Sequence, residues 1–151
     1  MTHSLTLRVY YEDTDLAGIV YYANYLRFIE RGRSEWLRDL GIDQVALKAQ
    51  GRVFAVRRVE ADYLRPARFD DLLEVRTDLA HAGPARVVVD QRVLRGDTVL
   101  FTARVTVACL DDQGRPVRLP ADLARALAAP GGQAGLASVA LAAQRLRVME
   151  N

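Results

Sequence analysis

The chain has 151 residues, half of them hydrophobic, with a formal net charge of +2 and a pI near 8.9. That length suits a single domain with a real buried core, and the apolar content excludes a largely disordered chain. Arginine supplies nearly all of the positive charge and is scattered along the chain, which excludes a basic arm for nucleic acid.

Leu5, Leu7, Val9 and Tyr11 alternate with Thr6, Arg8 and Tyr10, the period of a half-buried strand, whose inner face would deliver Tyr11 to the loop that follows. That loop is acidic, Glu12-Asp13-Thr14-Asp15, and ends in a small-residue turn at Ala17-Gly18. From Asn24 the period changes. Tyr25, Phe28, Ile29, Gly32, Trp36, Leu37 and Leu40 fall on one face of a helix over 24–40, with Asn24 as its N-cap and Gly41 as its stop. Gly32 lies on the apolar side of that helix, where glycine costs about 1 kcal/mol against alanine. Its presence points to close approach of another backbone.

Four strand patterns follow. Val53, Ala55, Val59, Ala61 and Tyr63 share a parity interrupted at Arg57. The runs 72–79, 87–94 and 98–109 alternate more regularly, the last most clearly. Turn signals separate them at Arg65-Pro66, Gly83-Pro84, Gly96-Asp97 and Asp111-Asp112-Gln113-Gly114. Short connections imply antiparallel pairing, so the layout is α+β, one long helix against a curved antiparallel sheet. A short helix is expected over 120–129, with Pro120 at its first turn. Residues 130–151 read as a Gly-rich linker and a helical tail.

Much chemistry is excluded by what is missing. There are two histidines, His3 and His81, and one cysteine. No zinc-ligand spacing, nucleophile elbow or nucleotide-binding glycine loop is present, so no metal and no cofactor are expected. His3 near the terminus and His81 in a turn region read as surface residues. Cys109 falls on the apolar face of a strand and reads as a buried structural thiol, and a chain without a cystine suits a reducing compartment. The first residues lack the basic and apolar regions of a secretory signal, and no apolar stretch could span a bilayer. A cytoplasmic protein without membrane insertion is expected.

The carboxylates remain. Asp13 and Asp15 suit two readings: turn and capping residues, or a catalytic carboxylate. The second draws on three neighbours. Gly18 allows close backbone approach, Val20, Tyr21 and Tyr22 offer apolar and aromatic walls, and the helix start offers unpaired N–H groups at a positive dipole end. A carboxylate facing such donors across an acyl group suits ester or thioester cleavage.

The run Tyr11-Glu12-Asp13-Thr14-Asp15, followed by Gly18-Ile19-Val20-Tyr21-Tyr22-Ala23-Asn24-Tyr25, resembles the signature of the hotdog-fold acyl-CoA thioesterases. These include the 4-hydroxybenzoyl-CoA thioesterase family and, within it, the YbgC-type enzymes encoded with the Tol-Pal envelope system. The resemblance continues through Glu30-Arg31-Gly32-Arg33-Ser34-Glu35 and through Asp62-Tyr63-Leu64-Arg65-Pro66-Ala67-Arg68-Phe69-Asp70-Asp71, and covers roughly residues 5–120. It implies a hotdog domain over 1–129, a sheet of five or six strands curled around the helix, and dimers or tetramers with the active site at a subunit interface. It implies an acyl-CoA substrate, with acyl carrier protein as an alternative carrier and a non-catalytic binding scaffold as a further reading.

The resemblance also assigns roles. Asp15 matches the catalytic aspartate, acting as nucleophile or as general base. The Tyr22 main-chain N–H matches the group that polarises the thioester carbonyl, and Tyr11 matches a tyrosine near the aspartate. Gly18, Val20 and Tyr21 would line the acyl site. Arg57, Arg65 and Arg68, with Arg58 and Arg86 behind them, are candidates for the phosphates of coenzyme A, and Glu35 is a further polar candidate. Tyr22 departs from the usual histidine of YbgC-type enzymes. The polarising donor is main chain, so the departure bears on acyl preference and pH profile more than on reaction class.

Overall fold

The computed structural model describes residues 2–128; the linker and helical tail expected over 130–151 lie outside the described residues. Five strands form one antiparallel sheet: β1 (Thr2–Arg8), β2 (Val53–Tyr63), β3 (Leu72–Ala82), β4 (Arg86–Arg95) and β5 (Thr98–Leu110), in the order β1-β3-β4-β5-β2. The long helix α1 (Asn24–Asp39) lies on one face of this sheet, as the α+β hotdog expectation requires.

The 3.6-residue periodicity of α1 is the direct cause of its position. Tyr25, Phe28, Ile29, Trp36 and Leu37 are all buried and pack with Leu73, Val75, Val89, Phe101 and Val105 from the sheet. The helix ends where the sequence indicates. Gly41 has φ +83°, its N–H donates to Arg38 O at 2.9 Å, and Ile42 N–H donates to Leu37 O at 3.0 Å. This is a Schellman ending, which requires the left-handed residue that glycine supplies.

Gly32 is explained by close approach, but of side chains rather than backbone. A Cβ built there would sit 2.6 Å from Val75 Cγ1, with Gln91 Nε2 and Thr77 Oγ1 at 3.2 and 3.3 Å. Gln91 and Thr77 are buried polar residues. The Gln91 amide donates to Ile29 O at 2.8 Å and to Thr77 Oγ1 at 2.9 Å, and its oxygen accepts from Arg33 Nη1 at 3.0 Å. The helix is thus bonded to the sheet as well as packed on it.

The interruption at Arg57 is a β-bulge. Val56 pairs with Val107 and Arg58 with Thr106, leaving Arg57 unmatched. The inward parity therefore changes along β2: Phe54 lies opposite buried Cys109, whereas Ala61 and Tyr63 lie opposite buried Ala103 and Phe101. Val53 and Ala55 do not share a face with Val59, Ala61 and Tyr63, contrary to the single parity read from sequence.

Other expectations change as well. His3 is buried, not a surface residue, and its Nε2 lies 2.8 Å from Asp39 Oδ2 at the end of α1. His81 is exposed, but on the last residues of strand β3 rather than in a loop. A helix absent from the sequence reading, α2 (Gln44–Ala49), follows α1; Asp43 caps it by accepting from Val45 N and Ala46 N at 3.0 and 3.1 Å. The C-terminal helix α3 (Ala121–Ala128) starts just after Pro120, whose carbonyl accepts the Ala124 N–H. Among the described residues no helix is long and apolar enough to cross a membrane.

Candidate active site

The acidic segment leaves β1 as a single 3-10 turn, Tyr11–Asp13. Asp13 closes it, its carboxylate accepting the Tyr10 N–H at 2.8 Å. A second turn follows. Gly18 N–H donates to Asp15 O at 3.0 Å, and Asp15 N–H donates to Ile19 O at 2.9 Å. Gly18 has φ +79° with open space where a side chain would be, so glycine is needed here for its backbone conformation.

Asp15 sits at the head of this turn, exposed. One carboxylate oxygen accepts the Ala17 N–H at 2.9 Å; among the described residues the other has no hydrogen-bond partner. Both readings of Asp15 are therefore compatible with one geometry: one oxygen holds the turn and the other is free to act.

The turn is tied to the start of α1 and to the segment after β2. Asp13 O accepts both the Tyr21 N–H and the Asn24 side-chain amide at 2.9 Å. Val20 N–H donates to Ala67 O at 2.8 Å, and Ile19 pairs with Arg68. Ala67 N–H donates to the Tyr25 hydroxyl at 2.9 Å. Asn24 is not the N-cap: Ala23 holds that position without a side-chain cap, and Asn24 is the first helical residue, buried and turned towards the acidic loop. With no side chain capping the helix, the Tyr22 and Ala23 N–H groups have no hydrogen-bond partner among the described residues. They carry the positive end of the helix dipole.

Beside these amides lies a largely apolar hollow of about 320 Å³, lined by Ile19, Val20, Tyr22, Tyr25, Tyr63, Leu64, Arg65 and Pro66. Its floor is an aromatic cluster. Tyr25 stacks on Phe101 at 5.1 Å, and Tyr63 meets Tyr22, Tyr25 and Phe101 edge-on at 6.2, 5.5 and 5.0 Å. Tyr63 Oη donates to Tyr22 O at 2.9 Å. Burial pushes the Tyr63 hydroxyl above its ordinary value, with Tyr22 and Tyr25 adding to the effect, so it keeps its proton.

The structure thus brings Val20, Tyr22 and Arg65 into one hollow, with Tyr21 against Tyr22 at 4.9 Å and Arg68 bridged to Ile19. Asp15 and Gly18 stand on the adjoining turn. Tyr11 lies elsewhere: it is 83 % exposed, outside β1, and meets Phe69 edge-on at 6.4 Å in a separate hollow with Arg8 and Tyr10. Arg57 sits at the bulge, roughly 20 Å of extended strand from Tyr63. Arg58 pairs with Glu60 and Glu35 with Arg38, while Arg86 is exposed at the start of β4.

Two residues without an assigned role in the sequence emerge here, Tyr63 and Asp71. Asp71 accepts from Arg68 N–H and from Arg95 Nη1, each at 2.8 Å, and so pins the segment that Val20 bonds to. Both lie in the 62–71 run, so the signal was present as motif without geometry. Among the described residues no cluster of three or more metal-ligating side chains occurs.

One long helix laid against a five-stranded antiparallel sheet, among the described residues, defines an α+β hotdog fold. Comparison agrees: residues 9–127 match the model of the Thioesterase-like superfamily, and the chain belongs to that family. It is 42 % identical over 122 residues to the acyl-CoA thioesterase YbgC of Haemophilus influenzae, covering 80 % of this chain and 90 % of that one. It is likewise 42 % identical over 116 residues to the acyl-CoA thioester hydrolase YbgC of Escherichia coli, covering 76 % and 87 %. Among solved structures, a probable thioesterase from Bartonella henselae superposes with a TM-score of 0.76 at 42 % identity, over 80 % of this chain and all of that one.

Proposed function

We propose that the chain hydrolyses acyl-CoA thioesters to a free acid and coenzyme A. The observation that carries this is the pair of N–H groups at Tyr22 and Ala23, unpartnered among the described residues, beside an apolar hollow and next to the Asp15 turn. The acyl chain would occupy the hollow with its carbonyl oxygen on the helix-start amides. Asp15 would then either attack the carbonyl carbon, expelling the CoA thiolate and leaving a mixed anhydride that water opens, or deprotonate the water that attacks. Both routes develop negative charge on the same oxygen, which the amides stabilise. Arg65 and Arg68 are the nearest candidates for CoA phosphates; Arg57 and Tyr11 would reach a site only from another part of an assembly.

An assembly of copies fits the sheet. Among the described residues strand β2 pairs on one side only, with β5, and exposes Val53, Val56, Val59 and Tyr63. An unpaired apolar edge of this length is a template for a second strand, and two copies joined there would continue the sheet. The resemblance to YbgC-type enzymes supports a dimer or tetramer and a place beside the Tol-Pal envelope system, and the sequence reading supports a cytoplasmic location. Acyl carrier protein is the alternative carrier.

The test is CoA release from acetyl-, butyryl-, longer-chain and 4-hydroxybenzoyl-CoA by wild type and Asp15→Asn side by side. Asparagine keeps an acceptor for the Ala17 N–H, so the turn survives. Turnover should fall by about a hundredfold or more. Full activity in the variant would remove Asp15 from the mechanism, and an inactive wild type would redirect the search to carrier-protein thioesters.

A further inference from the structure

The amide at Ala23 belongs to the peptide whose carbonyl is Tyr22 O. That carbonyl accepts the Tyr63 hydroxyl at 2.9 Å, across 41 positions of sequence. The preceding peptide is arranged in the same way: the Tyr21 carbonyl accepts the Asn24 N–H at 2.8 Å, and its own N–H, that of Tyr22, has no partner among the described residues. A hydrogen bond accepted by a peptide oxygen draws charge through the amide and strengthens the N–H as a donor. It also fixes the plane of the peptide, and therefore the direction in which the N–H points. Asn24 does this from within the helix. For the Tyr22–Ala23 peptide the bond comes from another element, strand β2.

Resting on the thioester-hydrolase reading above, we propose that Tyr63 is a positioning residue for that reaction: its hydroxyl orients the Tyr22–Ala23 peptide so that the helix-start amides converge on the substrate carbonyl oxygen. The ring has a separate task. Edge contacts with Tyr22, Tyr25 and Phe101 hold the hydroxyl in place and form the wall of the hollow. The two tasks are separable, because phenylalanine keeps the ring and removes only the donor.

The experiment is Tyr63→Phe in the full chain, read by kinetics, thermal melting and the ¹H–¹⁵N correlation of the Ala23 amide. The Ala23 resonance should move. The melting temperature should stay close to wild type, and kcat should fall about tenfold with KM changed less than about twofold, since a support for the amides is lost rather than a donor itself. An unmoved Ala23 resonance, a wild-type kcat, or a change confined to KM would each overturn the proposal. If wild type hydrolyses no thioester, the functional reading fails on its own, and the Ala23 resonance still decides whether Tyr63 fixes this peptide.

Discussion

The Asn24 side-chain amide and the Asp13 main-chain oxygen are 2.9 Å apart, and the same oxygen also takes the Tyr21 N–H. One carbonyl therefore joins the acidic turn to the first residue of α1. The relative placement of carboxylate and amides depends on it. Asn24→Ala should lower stability by about 1 kcal/mol, because the carbonyl keeps one of its two donors. Its effect on turnover should be larger than its effect on KM, roughly tenfold, since small misplacement of reacting groups is costly. Asn24→Asp, nearly the same shape, should be worse than alanine on both counts, because a carboxylate would face the Asp13 oxygen. Thermal melts and steady-state kinetics of the two variants check this.

Gly32→Ala should destabilise the fold despite alanine's better helix propensity. The new methyl would meet Val75 Cγ1 at 2.6 Å, and Val75 is fully buried and β-branched, so it cannot swing aside. Overpacking of this kind costs about 1–3 kcal/mol against about 1 kcal/mol gained in the helix. Denaturant unfolding should show a net loss of up to about 2 kcal/mol. Adding Val75→Ala should recover part of it, although Val75→Ala alone is itself destabilising.

The Asp71 carboxyl should make stability acid-sensitive. Burial pushes it up, but the Arg68 N–H, the hydrogen bond from Arg95 and the charges of both arginines outweigh burial and hold it below the usual carboxylate range. A depressed folded-state value means that the contribution is complete above the unfolded value of about 4 and is lost as pH falls through the folded one. Asp71→Asn should therefore cost about 1 kcal/mol at neutral pH, after solvent screening of the Arg95 pair. The gap in melting temperature between variant and wild type should close as the solution is acidified. A gap that stays constant down to the lowest pH would show that the charge of Asp71 contributes nothing.

Cys109 should resist thiol reagents in the native protein. It is fully buried on β5, and burial pushes its thiol up, with the charge of Arg52 opposing. Labelling should follow unfolding and become rapid only in denaturant. Modification of native protein at the rate of a free thiol would place Cys109 at a site that opens locally.

The elements that were legible in the sequence are those with strong local causes. The face from Tyr25 to Leu37 and the stop at Gly41 fixed α1 within a residue, and the alternation of Val99 to Cys109 fixed β5. What escaped depends on contacts far apart in sequence. Nothing near His3 announces Asp39, and nothing near Tyr63 announces the Tyr22 carbonyl. The helix α2, capped by Asp43, is too short for periodicity to declare it. Motif resemblance points to Asp15 and Tyr22 as candidates, but the carboxylate oxygen and the amides left without partners among the described residues are properties of turns, which pattern does not encode.

The extra residue at Arg57 sets the phase of everything after it in β2. An odd number of steps separates Phe54 from Tyr63, and in an unbroken strand two such positions look in opposite directions. Only the insertion lets both look inward. A pairing that took Arg57 into the ladder as an ordinary residue would leave the edge strand long and apolar, and still turn the Tyr63 hydroxyl out to solvent, away from the peptide it holds. The strand thus works as an index as well as a wall: a one-residue count on the periphery decides whether a hydroxyl arrives beneath the helix start, far from where the count is made.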